Sequence, residues 1–250
     1  MIESWPLLAG AGFLAGAMNA AAGGGSFVTL PALVFAGLPS VAANASSTVA
    51  LYPGGLAGAY GFRGEFRMFP ADSPRAMLTA SLLGGAVGAL LLLNTPSVTF
   101  DRIIPWLMLL GAFTFAFGNR IGMMLQKRVE MGKGALLTVQ VLLAIYGGYF
   151  GGAVGIMMMA AWSLFGLVDL KAMSAARTLM VAATNSVAVL CFSASGIVAW
   201  PQTLVMMGAA VAGGYLGARL ARNIATSTLR LGINLLNAGM TLAIFVRAYG

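Results

Sequence analysis

The chain has no histidine and one cysteine, Cys191, set within the apolar run 187–192. A disulfide within the chain, a thiolate metal cluster and histidine acid–base chemistry are thereby excluded. Charge is equally scarce. Lys and Arg number 14 and Asp and Glu six, so 8% of 250 residues are charged, against about 25% in a soluble domain. So few charges cannot cover a water-exposed surface, and most of the chain must face lipid or itself. The acids avoid every long apolar stretch: Glu3, Glu65, Asp72, Asp101, Glu130 and Asp169 lie in loops or at segment ends. No carboxylate stands at mid-membrane to bind a cation or carry a proton, and no carboxylate pair is available to an intramembrane enzyme. The chain is therefore expected not to be an enzyme, and no cofactor or metal is expected. A basic leader is also lacking. The opening Met1-Ile2-Glu3-Ser4-Trp5 carries an acid where a signal peptide needs cations, so no cleavable signal is expected.

What is present is apolar. Hydrophobic residues make up 60% of the chain, mean hydropathy is +0.91, and 34 residues are glycine, as suits membrane helices that pack closely through small residues. The net charge of +8 invites a nucleic-acid reading. The basic residues lie in short clusters between apolar stretches, however, which is how topology signals are distributed, so the expected partner is the bilayer and not nucleic acid.

Ten apolar stretches follow one another: 6–22, 26–37, 41–62, 76–93 and 103–117, then 134–150, 153–168, 172–198, 202–218 and 231–246. The stretches at 26–37 and 153–168 are short, and each follows a glycine break, Gly23-Gly24-Gly25 in one case and Gly147-Gly148 with Gly151-Gly152 in the other. Twelve helical residues reach about 18 Å, less than the roughly 30 Å of a bilayer core. Each short stretch is either one arm of a re-entrant hairpin or a thin crossing, and both return the chain to its starting side. Arg63, Arg67 and Arg75 share one loop, Arg120, Lys127, Arg128 and Lys133 a second, and Arg219, Arg222 and Arg230 a third. Cytoplasmic loops are enriched in Lys and Arg, so these three face inside and both termini face outside. Lys171 then falls inside, and Arg247 is an exception. Trp5, Trp106 and Trp200 all fall at the outer interface, as an aromatic belt requires.

The order of stretches repeats. Gly84-Gly85-Ala86-Val87-Gly88-Ala89 matches Gly213-Gly214-Tyr215-Leu216-Gly217-Ala218 at an offset of 129, and Asn44-Ala45-Ser46-Ser47-Thr48 faces Ser174-Ala175-Ala176-Arg177-Thr178 at 130. Gly64 and Gly196 end equivalent helices. Each half holds five segments, an odd number, so the halves begin on opposite sides. The expected fold is an all-α polytopic membrane protein of two inverted-topology repeats, 1–126 and 134–250, joined by a basic cytoplasmic linker at 127–133. Many secondary transporters share that design, with substrate at mid-membrane where broken helices turn their N-termini toward it.

The candidate site residues follow from this. Gly24, Gly25 and Ser26 can present N–H groups and a hydroxyl to an anion, with Ser26 also able to cap the half-helix, or the glycines simply permit a tight turn. Asn19, Asn44, Ser46, Ser47, Thr48, Thr184 and Asn185 are polar groups in apolar stretches, where they either join helices or line a cavity. Arg177 is the one basic residue well within an apolar stretch. It is either a functional cation or a snorkelling side chain six residues beyond Lys171. N–H, hydroxyl and amide groups with one guanidinium suit an oxyanion, and an inside-negative potential drives an anion outward with about 2.3 kcal/mol per charge per 100 mV.

Gly16-Ala17-Met18-Asn19-Ala20-Ala21-Ala22-Gly23-Gly24-Gly25-Ser26-Phe27, with Leu30-Pro31-Ala32-Leu33, Gly37-Leu38-Pro39 and Ala43-Asn44-Ala45-Ser46-Ser47-Thr48, resembles the first repeat of the TauE/SafE sulfite exporter family. Gly147-Gly148-Tyr149-Phe150-Gly151-Gly152-Ala153-Val154-Gly155, then Asp169 and Gly196-Ile197-Val198, is similar to its second. The chain departs from the pattern at Ser174, where Asn is common, and at Met157, where Gly is common. Arg177 stands where a basic residue, often Lys, is usual. The resemblance implies a bacterial inner-membrane permease exporting sulfite or an organosulfonate such as sulfoacetate or taurine. A permease for another small anion or metabolite, or a non-transporting scaffold, is the alternative. A small anion is the expected partner, and a homodimer is compatible with this reading.

Overall fold

The computed structural model describes residues 4–21, 23–61, 74–125, 133–165, 169–221 and 226–250. Among them are ten α-helices and no strand: α1 (Trp5–Ala21), α2 (Ser26–Phe35), α3 (Ser40–Gly61), α4 (Pro74–Leu93), α5 (Ser97–Leu125), α6 (Lys133–Tyr149), α7 (Val154–Leu164), α8 (Leu170–Ala194), α9 (Trp200–Ala221) and α10 (Thr226–Tyr249). Each coincides with one apolar stretch. Arg63, Arg67, Lys127, Arg128 and Arg222, which set the expected orientation, lie outside the described residues, as do Gly64, Glu3, Glu65, Asp72, Glu130 and most of the linker. The largest difference is α5, which runs well beyond 103–117 at both ends. An apolar reading stops at Asp101-Arg102 and at Asn119-Arg120, whereas the helical backbone continues through them into the interfaces.

Four stretches are long and apolar enough to cross a membrane by length and composition: Pro74–Leu93, Ser97–Gly118, Ala172–Ala194 and Leu231–Tyr249. Leu83, Leu90, Leu190, Leu235, Leu242 and Val246 on these helices are all at least half exposed. So large an apolar surface is at home in lipid. α2, by contrast, is buried at every position from Phe27 to Val34. It is sheathed by protein, and at about 1.5 Å per residue its ten residues reach only about 15 Å.

Close packing through small residues orders the bundle. Gly12 meets the backbone of Met206 and Gly16 that of Ala210, one turn further on in both helices, so α1 and α9 run parallel. Gly84 meets Ala144 and Gly88 meets Gly148 in the same manner, so α4 and α6 run parallel. A side chain at any of these glycines would collide with backbone, which is why Gly recurs there at helical spacing. The Gly84 and Gly213 motifs are thus the two helix-crossing stripes. Further contacts come in couples related by a step of five helices: α3 with α9 and α8 with α4, α5 with α7 and α10 with α2. At one end of the bundle, Ser40 Oγ donates to Ser97 O at 3.2 Å. There too Trp106 Nε1 donates to the Tyr249 hydroxyl at 3.0 Å, and that hydroxyl donates to Arg102 O at 2.9 Å. The start of α1 and the end of α10 consequently lie at the end where α3, α5 and α9 begin.

Candidate functional site

The two glycine breaks converge at the centre of the bundle. Phe27, at the start of α2, packs edge-on against Phe150 of the second break, with ring centroids 6.4 Å apart. Both rings are fully enclosed.

At the first break Gly23 and Gly24 have φ of +87° and +90°, a backbone that only glycine adopts without strain. Gly23 N–H closes α1 on Met18 O at 3.0 Å. Gly25 N–H donates to Asn19 Oδ1 at 2.8 Å. Gly25 is the N-cap of α2 and makes no side-chain cap bond, and Ser26 is the first helical residue. The capping that the sequence offered to Ser26 is therefore done by Asn19, reaching back from α1. Phe27, Val28 and Thr29 donate to Gly24 O and Gly25 O. Among the described residues, the N–H groups of Gly24 and Ser26 are left without a partner. They lie at the positive end of the α2 dipole.

The second break carries Gly151 at φ +80° and Ala153 at φ +59°; α7 then starts at Val154. The stem of Arg177 lies across that start. A Cβ on Gly155 would stand 2.9 Å from both Cγ and Cδ of Arg177, so the missing side chain makes room for the arginine. Arg177 is half-buried and makes no hydrogen bond or ion pair among the described residues. No described group pairs with its guanidinium. The acid nearest in sequence, Asp169, accepts the Ala172 N–H at 3.1 Å and caps α8.

The polar residues of α3 stitch these parts together. Asn44 Nδ2 donates to Tyr149 O at 2.9 Å, tying α3 to the second break, while its buried Oδ1 has no partner. Ser47 Oγ and Thr29 Oγ1 share a hydrogen bond of 2.6 Å, tying α3 to α2. Ser46 Oγ accepts the Ala199 N–H at 3.0 Å, and Thr48 Oγ1 donates to Asn44 O at 3.0 Å. Thr48 also faces the second break, 3.9 Å from where a Gly151 side chain would begin. Asn19, Gly24, Gly25, Ser26, Asn44, Ser47, Thr48 and Arg177 are thus distributed over the two converging breaks and the helices bracketing them. Thr184 is placed otherwise. It is fully buried between Gly85 and Gly147 and donates to Met180 O at 2.9 Å, a packing position in the α4–α6–α8 crossing. Its neighbour Asn185 buries an unpaired Oδ1.

Three features escaped the sequence reading. Asn237 on α10 is fully buried with both amide atoms unpaired, and Asn234, one turn earlier, buries an unpaired Oδ1. Their three-residue spacing within 231–246 was the available signal, because it places two costly amides on one face of an apolar helix. Trp162 Nε1 donates to Gln140 Oε1 at 3.1 Å and Gln140 Nε2 to Ser81 Oγ at 2.8 Å, a buried chain joining α7, α6 and α4. Tyr52 and Ser186 share a hydroxyl hydrogen bond of 2.6 Å between α3 and α8.

Comparison with known proteins bears on the whole chain. The family described as "Sulfite exporter TauE/SafE" matches residues 8–244. A "Probable membrane transporter protein" of Haemophilus influenzae is 28% identical over 92% of this chain and 90% of that protein. The "Probable membrane transporter protein YfcA" of Escherichia coli K12 is 25% identical over 98% and 92%, respectively. The "Probable membrane transporter protein ORF9" of a Sinorhizobium species is 29% identical over 84% and 80%. No solved structure matches.

Proposed function

The chain belongs to the sulfite exporter TauE/SafE family and is a multi-pass membrane transporter, and on that premise we propose that it exports a small sulfur-containing oxyanion, sulfite or an organosulfonate, as a secondary transporter of the bacterial inner membrane. The observation that carries this reading is Arg177, a half-buried cation with no partner among the described residues, laid over the N-terminus of α7. A half-buried cation without compensation is stabilised by a bound anion. The N–H groups of Gly24 and Ser26, without a partner among the described residues, add donors at the first break suited to the three oxygens of a sulfonate. In this arrangement the anion is neutralised by Arg177, cradled at the first break, and moved by exchange of the two halves around it.

Titrating a sulfonate such as sulfoacetate into the purified transporter tests the role of Arg177. Arg177→Ala is expected to lose a charge-assisted hydrogen bond, about 1.5–3 kcal/mol or roughly 10- to 150-fold in affinity. Arg177→Lys should recover part of it, since a point charge remains without the guanidinium fork. A snorkelling arginine gives a different pattern: Ala changes yield or stability and leaves affinity as it was.

Two structural features support the inverted-repeat part of the proposal: the contacts coupled by a step of five helices, and the opposite ends at which α1 and α6 begin. Both termini are assigned to the outside from the basic clusters. A C-terminal alkaline phosphatase fusion is expected to be active and a green fluorescent protein fusion dark; the reverse pattern would overturn the assignment.

A further inference from the structure

Asn237 sits inside α10 with no exposed surface, and neither its Nδ2 nor its Oδ1 has a partner among the described residues. An amide left this way keeps the full cost of its lost hydration, so a buried Asn with both groups idle marks a place that something else fills. Its position says what. Nδ2 lies 3.8 Å from the point where a side chain on Gly24 would begin, and the ring of Phe115 on α5 is 3.6 Å from that same point. The amide thus lies beside the positive end of α2, where the N–H groups of Gly24 and Ser26 have no partner among the described residues, at contact distance from where the Cβ that Gly24 lacks would stand.

The two ends of the amide ask for different chemistry. Nδ2 is a donor and complements an anionic oxygen seated on the Gly24 and Ser26 N–H groups. Oδ1 is only an acceptor, and anionic oxygens repel it. A fully ionised anion such as sulfate or an alkylsulfonate satisfies the first and leaves the second idle. A molecule carrying an N–H or O–H next to its oxyanion satisfies both.

We propose that Asn237 is a substrate-recognition residue of this transporter, and that it selects small sulfonates bearing a hydrogen-bond donor, a hydroxyl or an ammonium group, close to the sulfur. The proposal rests on the anion-export reading and narrows it. The sulfonate oxygens bind between Gly24, Ser26 and Asn237 Nδ2, and the substrate's hydroxyl or ammonium donates to Asn237 Oδ1. Asn234, one turn earlier on α10 with its own unpaired buried Oδ1, is the next acceptor along the same helix.

Calorimetric titration of the full-length protein in lipid nanodiscs, using 2-hydroxyethanesulfonate and ethanesulfonate, tests this. The two ligands share the sulfonate and differ in one hydroxyl. Wild type is expected to bind the hydroxylated ligand at least about fivefold more tightly, the discrimination of a site whose buried acceptor is otherwise unpaired. Asn237→Leu, of similar volume and without hydrogen-bonding groups, should bind the two equally and should unfold at the same temperature as wild type or higher. Asn237→Ala, measured the same way, gives the ratio should the leucine variant fail to fold. Equal binding of the two ligands by wild type overturns the proposal, and so does a preference that survives in the variants. Binding of neither ligand by folded wild type overturns instead the sulfonate-export reading beneath it.

Discussion

Asn19 and Asn237 are both amides in apolar helices, yet only Asn19 has its oxygen engaged, and the difference separates a scaffold role from a recognition role. Asn19 Oδ1 holds the Gly25 N–H at 2.8 Å and so fixes the angle at which α2 leaves the break. Asn19→Ala frees that N–H at the helix start and is expected to cost about 1 kcal/mol, as loss of a cap does. Asn19→Asp keeps an acceptor at the same place and should retain most of the stability. Thermal denaturation of the three proteins in one detergent checks this, and an equal loss in both variants would show that the bond contributes nothing. Residues of this kind are legible in sequence because an intramembrane amide is costly wherever it falls. Its purpose is less legible. Thr184 has the same polarity in the same sort of stretch, but it is buried between Gly85 and Gly147, a setting that exists only once α4, α6 and α8 have crossed.

At the scale of elements, the half-helices α2 and α7 follow directly from the glycine breaks, since no side chain but hydrogen tolerates φ of +87° and +90° in succession at Gly23 and Gly24. Gly24→Val places a β-branched side chain in that conformation and against Phe115 and Asn237. It is expected to abolish anion binding while the bundle, held by the α1–α9 and α4–α6 crossings, stays folded. Titration of the purified variant checks this, and an affinity within twofold of wild type would make the glycines turning residues only. The breaks were legible from length and composition. Their convergence was not, because the Phe27–Phe150 contact joins residues from separate halves. The ends of α5 were also hidden, since a helix passing from lipid into an interface changes its polarity without changing its backbone.

The whole molecule combines parallel pairing of α1 with α9 and of α4 with α6, contacts coupled by a step of five helices, and two broken segments meeting between the halves. On the proposed inverted-repeat reading, the two halves rock against each other while the breaks stay at the centre, which is what alternating access asks of such a chain. The sequence made the number and order of the helices readable, since each apolar stretch became one helix. It could not specify which helix lies beside which, because glycine stripes show that a close crossing exists and not its partner. The proposed activity is outward movement of an anion driven by membrane potential. The direct measurement is release of a radiolabelled sulfonate, 2-hydroxyethanesulfonate, from proteoliposomes under an imposed potassium diffusion potential. Release should accelerate as the interior is made negative, with about 2.3 kcal/mol per charge per 100 mV as its driving force, and should fall to the protein-free rate with Arg177→Ala. Label retained at the protein-free rate at every potential, by wild-type protein shown to be folded, would contradict the account.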